Sequence, residues 1–158
     1  MSECILITGA TGFIGQNLTK LLLDLDFKVI ALVRASSKNK SFVKKIKKKN
    51  NKFYPIYFKD IKSLPNKLSN MKINYVVNLA TKWVEKHNYN DLISIINCNI
   101  LFTTAVLDSV SKKNLKKFIN VSTYVLFRDS KKYNPYNLYG ATKKGFEDII
   151  EYYKNYCK

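Results

Sequence analysis

Tyr139 and Lys143 stand four residues apart in Tyr139-Gly140-Ala141-Thr142-Lys143, so on a helix they share one face. That pairing suits proton transfer. A free phenol, with a pKa near 10, is too weak a base at neutral pH, and an ammonium one turn away favours the phenolate. Tyr139 is one of 11 tyrosines, however, and most tyrosines are amphipathic packing residues, so the spacing gains meaning only from a second motif near the start of the chain. There Thr8-Gly9-Ala10-Thr11-Gly12-Phe13-Ile14-Gly15 follows the apolar run Cys4-Ile5-Leu6-Ile7 and leads into residues 16–25, where Leu18, Leu21, Leu22 and Leu25 keep helical spacing. Strand, glycine turn and helix in that order make an anion cradle: glycines admit positive φ, backbone amides approach a pyrophosphate, and the helix dipole favours its charge. The two motifs together indicate oxidoreduction with a nucleotide cofactor.

The elements that must position these residues alternate between strand-like and helical stretches, the α/β rhythm. Strands are expected at 4–7, 28–33, 53–58, 75–80 and 117–122. A basic helix follows the second, with Phe42, Val43 and Ile46 as its apolar stripe, and a short connection or helix broken by Pro65 spans 61–71. A long helix is expected over 91–111, with Ile93, Ile96, Ile100 and Val106 among its apolar positions. A final helix over 138–156 is expected to bury Phe146, Ile149, Ile150 and Tyr153. Right-handed parallel crossovers order the strands 3-2-1-4-5, with a ligand crevice outside their carboxyl ends where strands 1 and 4 diverge. The expected fold is α/β, a Rossmann-like doubly wound parallel sheet forming one domain over 1–158.

Composition narrows the partners. Cys4, Cys98 and Cys157 show no CxxC spacing and His87 is the only histidine, so no metal site and a reducing cytoplasm are expected. No signal-like segment precedes the first strand and no run of 18 residues is uninterruptedly apolar, so neither export nor a membrane is expected. The net charge of +17 invites a nucleic-acid reading. Its distribution argues against one: Arg34 and Arg128 are the only arginines, the composition resembles coding bias towards A and T, and the dense run 38–52 lacks base-reading arginines and interleaved aromatics. A solvated helix face is the expectation.

With both motifs in place the sequence resembles the extended short-chain dehydrogenase/reductases, in the NAD-dependent epimerase/dehydratase family that acts on nucleotide sugars. The resemblance runs through the whole chain: the glycine motif at 8–15, Asp60 after strand three, Val77-Asn78-Leu79-Ala80 after strand four, Asn99 in the long helix, Val121-Ser122-Thr123 after strand five, then Pro135, Tyr139 and Lys143. It implies that Tyr139 is the general acid or base, that Lys143 supports the phenolate and bonds the nicotinamide ribose, and that Thr123 donates to the same substrate oxygen. In isolation Thr123 would be a strand-end hydroxyl; the chain order gives it function. The resemblance places the cofactor against Gly9, Thr11, Gly12, Phe13, Ile14, Gly15, Arg34, Asp60, Ile61, Leu79, Ala80, Thr81 and Asn99 as well as Tyr139 and Lys143. Asp60 is expected at the adenine amine, and Asn99 is read as chiefly structural, fixing the helix and Lys143 through water. Trp83 is read as a lid or packing residue in preference to a base-stacking one.

The departures are informative. The dehydratases of the family follow their threonine with an Asp-Glu pair that eliminates water, and here Tyr124 and Val125 follow Thr123, which disfavours dehydration and leaves an epimerase or a reductase. Leu126, Phe127 and Arg128 replace a Val-Tyr-Gly common in epimerases. Members that use NAD usually end strand two with a carboxylate for the ribose hydroxyl, whereas Arg34, Ser36, Ser37 and Lys38 suit a 2′-phosphate, so NADP is favoured over NAD. Similarity to CDP-abequose synthase-like reductases agrees with that. Family members continue past Lys143 into further strands and a smaller substrate domain, so the chain is expected to be the cofactor-binding half of such an enzyme, with weak turnover alone. A homodimer through helices 91–111 and 138–156 is expected. A noncatalytic dinucleotide sensor is the alternative function, since fold does not fix activity.

Overall fold

The computed structural model describes residues 2–111, 115–128 and 132–156; Cys157 lies outside the described residues. Five parallel strands form one sheet in the order β3-β2-β1-β4-β5, as expected. β1 (Cys4–Thr8) is central and buried throughout, flanked by β2 (Lys28–Arg34) and β4 (Tyr75–Asn78), with β3 (Phe53–Phe58) and β5 (Lys117–Asn120) outside them. Its near-continuous apolar sequence is what a parallel strand covered on both faces requires. The register puts Thr8 opposite Leu32 on one side and Asn78 on the other, so β1 and β4 end level at the crevice while β2 runs on to Arg34.

On one face α1 (Phe13–Asp24) and α2 (Lys40–Lys49) set Leu23 and Val43, with Leu18, Phe42 and Ile46, against Ile5, Ile7, Val29, Ala31 and Phe53. The other face packs Leu6, Ile30, Leu32, Phe58 and Val76 against α3 (Leu64–Leu68) and a long helical segment. Burying each such Leu, Val or Phe contributes about 1.5–3 kcal/mol. Phe58 stacks on Phe102 with ring centroids 5.2 Å apart. Pro65 sits in the first turn of α3, where its missing N–H costs nothing, so it starts this helix where a break was expected.

The long segment, Tyr89–Ser111, comprises α4 (Tyr89–Ile96), a π-helical stretch (Asn97–Phe102) and α5 (Thr103–Ser111). It begins two residues earlier than expected because Asn88 and Asp91 form a reciprocal capping box. By length and composition it could cross a membrane, yet Ile95, Phe102, Val106 and Val110 line the core. Val106 is buried, but Ile93 and Ile96 are exposed, because the helix is apolar on two sides and its core-facing side is interrupted by buried Asn99 and Thr103. α6 (Leu138–Tyr156) lies beside it and presses Phe146 edge-on against Phe118 of β5, at 6.1 Å between centroids. Ile149, Ile150 and Tyr153 are only half-buried, against the expectation for them.

Candidate active site

The crevice is floored by the turn after β1. Gly9 has φ +68°, a conformation side chains rarely permit, and a Cβ there would stand 2.8 Å from the Ala80 nitrogen, so this turn and the end of β4 meet only through glycine. The Gly12 N–H donates to the Gly9 carbonyl at 2.9 Å, and Gly12 then caps α1 with no side-chain acceptor. The first turn of α1 holds no acidic side chain, leaving the amides of Phe13, Ile14 and Gly15 without an intrahelical acceptor at the positive end of the dipole. The side chains of Phe13 and Ile14 are exposed, so these positions offer the crevice their backbone.

Thr11 ties this turn to the loop after β2. Its carbonyl accepts from Asn39 Nδ2 and Gln16 Nε2, each at 2.9 Å, and its hydroxyl accepts from Ser37 Oγ at 3.2 Å. Arg34 is exposed at the head of that loop, held there by the Ser37 N–H donating to its carbonyl at 2.9 Å. Asp60 is exposed too, and its Oδ1 accepts from the Lys62 N–H at 3.0 Å, capping a short turn (Ile61–Ser63) after β3. Ile61 is half-buried beside it.

A buried polar ladder crosses the carboxyl ends of three strands. Thr8 Oγ1 donates to Asn78 Oδ1 at 2.7 Å and accepts from the N–H groups of Leu79 and Ala80 at 3.1 and 3.0 Å; Asn78 Nδ2 donates to Asn120 Oδ1 at 3.0 Å. Sequence reasoning gave these three side chains no role. The available signal was a polar residue ending each of three apolar strands, which pair in register. Interior bonds of this kind contribute about 1 kcal/mol each, and orphaning one partner costs more.

A second network holds the helices. Asn99 Oδ1 accepts from Thr81 Oγ1 at 3.1 Å and the Lys82 N–H at 2.8 Å, while its Nδ2 donates to the Lys82 carbonyl and to Thr142 Oγ1, both at 3.0 Å. Thr142 Oγ1 in turn donates to the Tyr139 carbonyl at 2.8 Å. Asn99 is thus buried with its amide fully engaged, bracing the loop after β4 onto α6 through Thr142. Thr142 completes that brace and was not singled out from the sequence.

Thr123 caps a 3-10 turn (Tyr124–Leu126), accepting from the Val125 N–H at 3.4 Å. The start of α6 rests on that turn: the Tyr136 N–H donates to the Val125 carbonyl at 3.0 Å, and a Cβ on Gly140 would stand 2.8 Å from the same oxygen. Thr123 and Tyr139, both half-buried, therefore flank one tight junction. Lys143, one turn along α6, is only 5% exposed and makes no hydrogen bond among the described residues. Burial holds its ammonium below the ordinary value of 10.5, with Glu147 and the Cys98 thiol opposing weakly. Because the folded-state pKa is depressed, the charged lysine costs stability at neutral pH, and the cost is relieved as pH rises through the folded value towards 10.5. Lys143→Met is accordingly expected to melt higher than the unsubstituted chain at pH 7, with the gap closing towards pH 10.5, as followed by circular dichroism. Among the described residues no group of three His, Cys, Asp or Glu could hold a metal ion.

The sequence profile of the NAD dependent epimerase/dehydratase family matches residues 5–157. The chain belongs to this family. Among curated epimerase/dehydratase relatives, dTDP-D-glucose 4,6-dehydratase of Dictyostelium discoideum is 30% identical over 176 residues, covering 96% of this chain and 41% of that protein. CDP-abequose synthase of Salmonella typhimurium is 28% identical, covering 98% of this chain and 49% of its own length. Among solved structures, UDP-glucuronic acid 4-epimerase of Bacillus cereus, in complex with UDP-glucuronic acid and NAD, superposes with a TM-score of 0.80 at 25% identity, over 97% of this chain and 52% of that one. The chain spans about half the length of the relatives it matches. The family membership expected from the ordered motifs is borne out.

Proposed function

We propose that this chain binds a nicotinamide dinucleotide across the carboxyl ends of β1, β2 and β4 and serves hydride transfer at a carbon of a nucleotide sugar, as an epimerase or ketoreductase. One observation carries this: the glycine turn before the unneutralised α1 N-terminus meets the backbone after β4, and Asn99 ties the loop there to Thr142, which lies between Tyr139 and Lys143 on α6. When bound, the cofactor accepts or returns the hydride. The proton is the protein's task. Tyr139 takes it from, or gives it to, the substrate oxygen, with the Lys143 ammonium one turn away on the same helix. Thr123, whose oxygen already accepts from Val125, has its O–H free to donate to the same substrate oxygen. Tyr124 and Val125 offer no carboxylate, so this reading excludes elimination of water. The relatives' names supply the substrate class.

The backbone of residues 12–15 would hold the pyrophosphate, Asp60 and Ile61 the adenine, and Leu79, Ala80 and Thr81 the wall beside the ribose. The free thiols of Cys4 and Cys98 suit a reducing cytoplasm. Ile119 of β5 and Val121 just past its end are exposed, which supports reading this chain as a cofactor-binding half that turns over weakly alone. Exposed Leu92, Ile93, Ile96 and Leu101 on the long helical segment, with Tyr152 on α6, support pairing of two copies through these helices. Sedimentation equilibrium is expected to give twice the chain mass; a monomer at high concentration would count against that pairing.

The deciding experiment is a parallel calorimetric titration with NADPH and NADH. Arg34, exposed and without a carboxylate partner among the described residues, favours the 2′-phosphate, so NADPH is expected to bind more tightly. Arg34→Asp is expected to weaken NADPH by about tenfold or more and spare NADH, since one charge-assisted bond is worth that much. Equal loss of both ligands would place Arg34 away from the ribose. Binding of neither by the parent chain would overturn the cofactor reading.

A further inference from the structure

The amino ends of the strands, opposite the crevice, carry a second concentration of charge that the proposed chemistry does not use. One hollow there is lined by Asp26, Lys47, Lys48, Lys49 and Lys52, and another by Glu3, Lys28, Lys72, Lys116 and Tyr54. The two carboxylates are already taken: Asp26 pairs with Lys52 and Glu3 with Lys116. Lys28, Lys48, Lys49 and Lys72 are exposed and form no ion pair among the described residues. Tyr54, on edge strand β3, joins the hollows. It lines the second, carries Lys47 of the first 4.9 Å over its ring, and is 42% exposed. Lys116 stands similarly over Tyr75 at 5.8 Å.

The fold thus supplies what the linear run 38–52 lacks, aromatic rings interleaved with cations. Lysines act as point charges that track phosphates without reading bases, and an exposed ring offers a base a stacking surface. The same face is poorly suited to a bilayer, since α2 turns Phe42, Val43 and Ile46 inward and keeps no apolar side chain for the interface. We propose that this face binds single-stranded nucleic acid without sequence preference, its phosphates along Lys28, Lys48, Lys49 and Lys72 and a base against Tyr54. The proposal is independent of the crevice and its chemistry.

Fluorescence anisotropy of the purified protein with a labelled oligothymidylate tests it. Affinity is expected to fall steeply with salt and to be unmoved by saturating NADPH. Charge reversal at all four lysines (Lys28→Glu, Lys48→Glu, Lys49→Glu, Lys72→Glu) is expected to weaken binding at least tenfold and flatten the salt dependence. Tyr54→Leu is expected to weaken the single strand several-fold and leave duplex binding unchanged. Should the quadruple variant melt early, the milder Lys28→Gln, Lys72→Gln pair is expected to lower both affinity and salt slope. No measurable binding, unaltered affinity in the lysine variants, competition by NADPH, or capture by phosphatidylglycerol vesicles in place of the oligonucleotide would each overturn it.

Discussion

Tyr139→Phe is expected to lower hydride transfer by about 10²–10⁴-fold, the range that a positioned general acid or base supplies, while cofactor affinity changes little. The reasoning is local. Phenylalanine keeps the ring and its place on α6, and the Thr142 bond to the carbonyl of residue 139 does not depend on the side chain, so the junction with Val125 survives. Only the exchangeable proton is lost. The readout is reduction of bound cofactor by UDP-, CDP- or dTDP-hexoses, followed by absorbance across pH. A fall confined to the chemical step, with cofactor affinity kept, is the expected signature. Undiminished hydride transfer in the Phe variant would assign the proton to another group and remove the main support for the catalytic reading.

What was legible in the sequence follows from where the information is local. The glycine turn, the strand order and the family all rest on residue types in fixed order, and each is found as expected. The inward face of Tyr89–Ser111 was not assigned, because its apolar residues include exposed Ile93 and Ile96 as well as buried Val106, and the core-facing side also carries Asn99 and Thr103, which bond once buried. The Thr8–Asn78–Asn120 ladder was hidden for a related reason. Its members are 70 and 42 residues apart, and only the parallel register brings them level. Pro65 was misread because a proline that breaks a helix and one that begins it differ only by position within the turn. The lysine-rich run was judged by its own sequence, while Tyr54, the ring that Lys47 of that run covers, comes from β3 beyond it.

Gly15→Ala should remove cofactor binding and much of the stability together, and the glycine three residues earlier provides the contrast. A Cβ at Gly15 would stand 2.2 Å from the Gly9 carbonyl oxygen and 2.7 Å from the Ala10 Cα. Both are backbone atoms of the turn, so no side chain can rotate away, and relief requires α1 to move off β1. That movement would misplace the amides of residues 13–15 and strain Gly9, which already occupies positive φ against Ala80. A cost of about 4 kcal/mol is expected, or roughly 8–16 °C in melting temperature for a chain of this size. At Gly12 the nearest atom to an added Cβ is the Gly9 oxygen at 3.3 Å, a contact that a few tenths of an ångström relieve. Gly12→Ala should therefore melt close to the parent and lose affinity alone, because its methyl intrudes where the pyrophosphate is proposed to approach. If Gly15→Ala melts and binds cofactor like the parent, the turn is not rigid enough to be the anion cradle. If Gly12→Ala binds normally while Gly15→Ala unfolds, the glycines serve packing and the phosphate lies elsewhere.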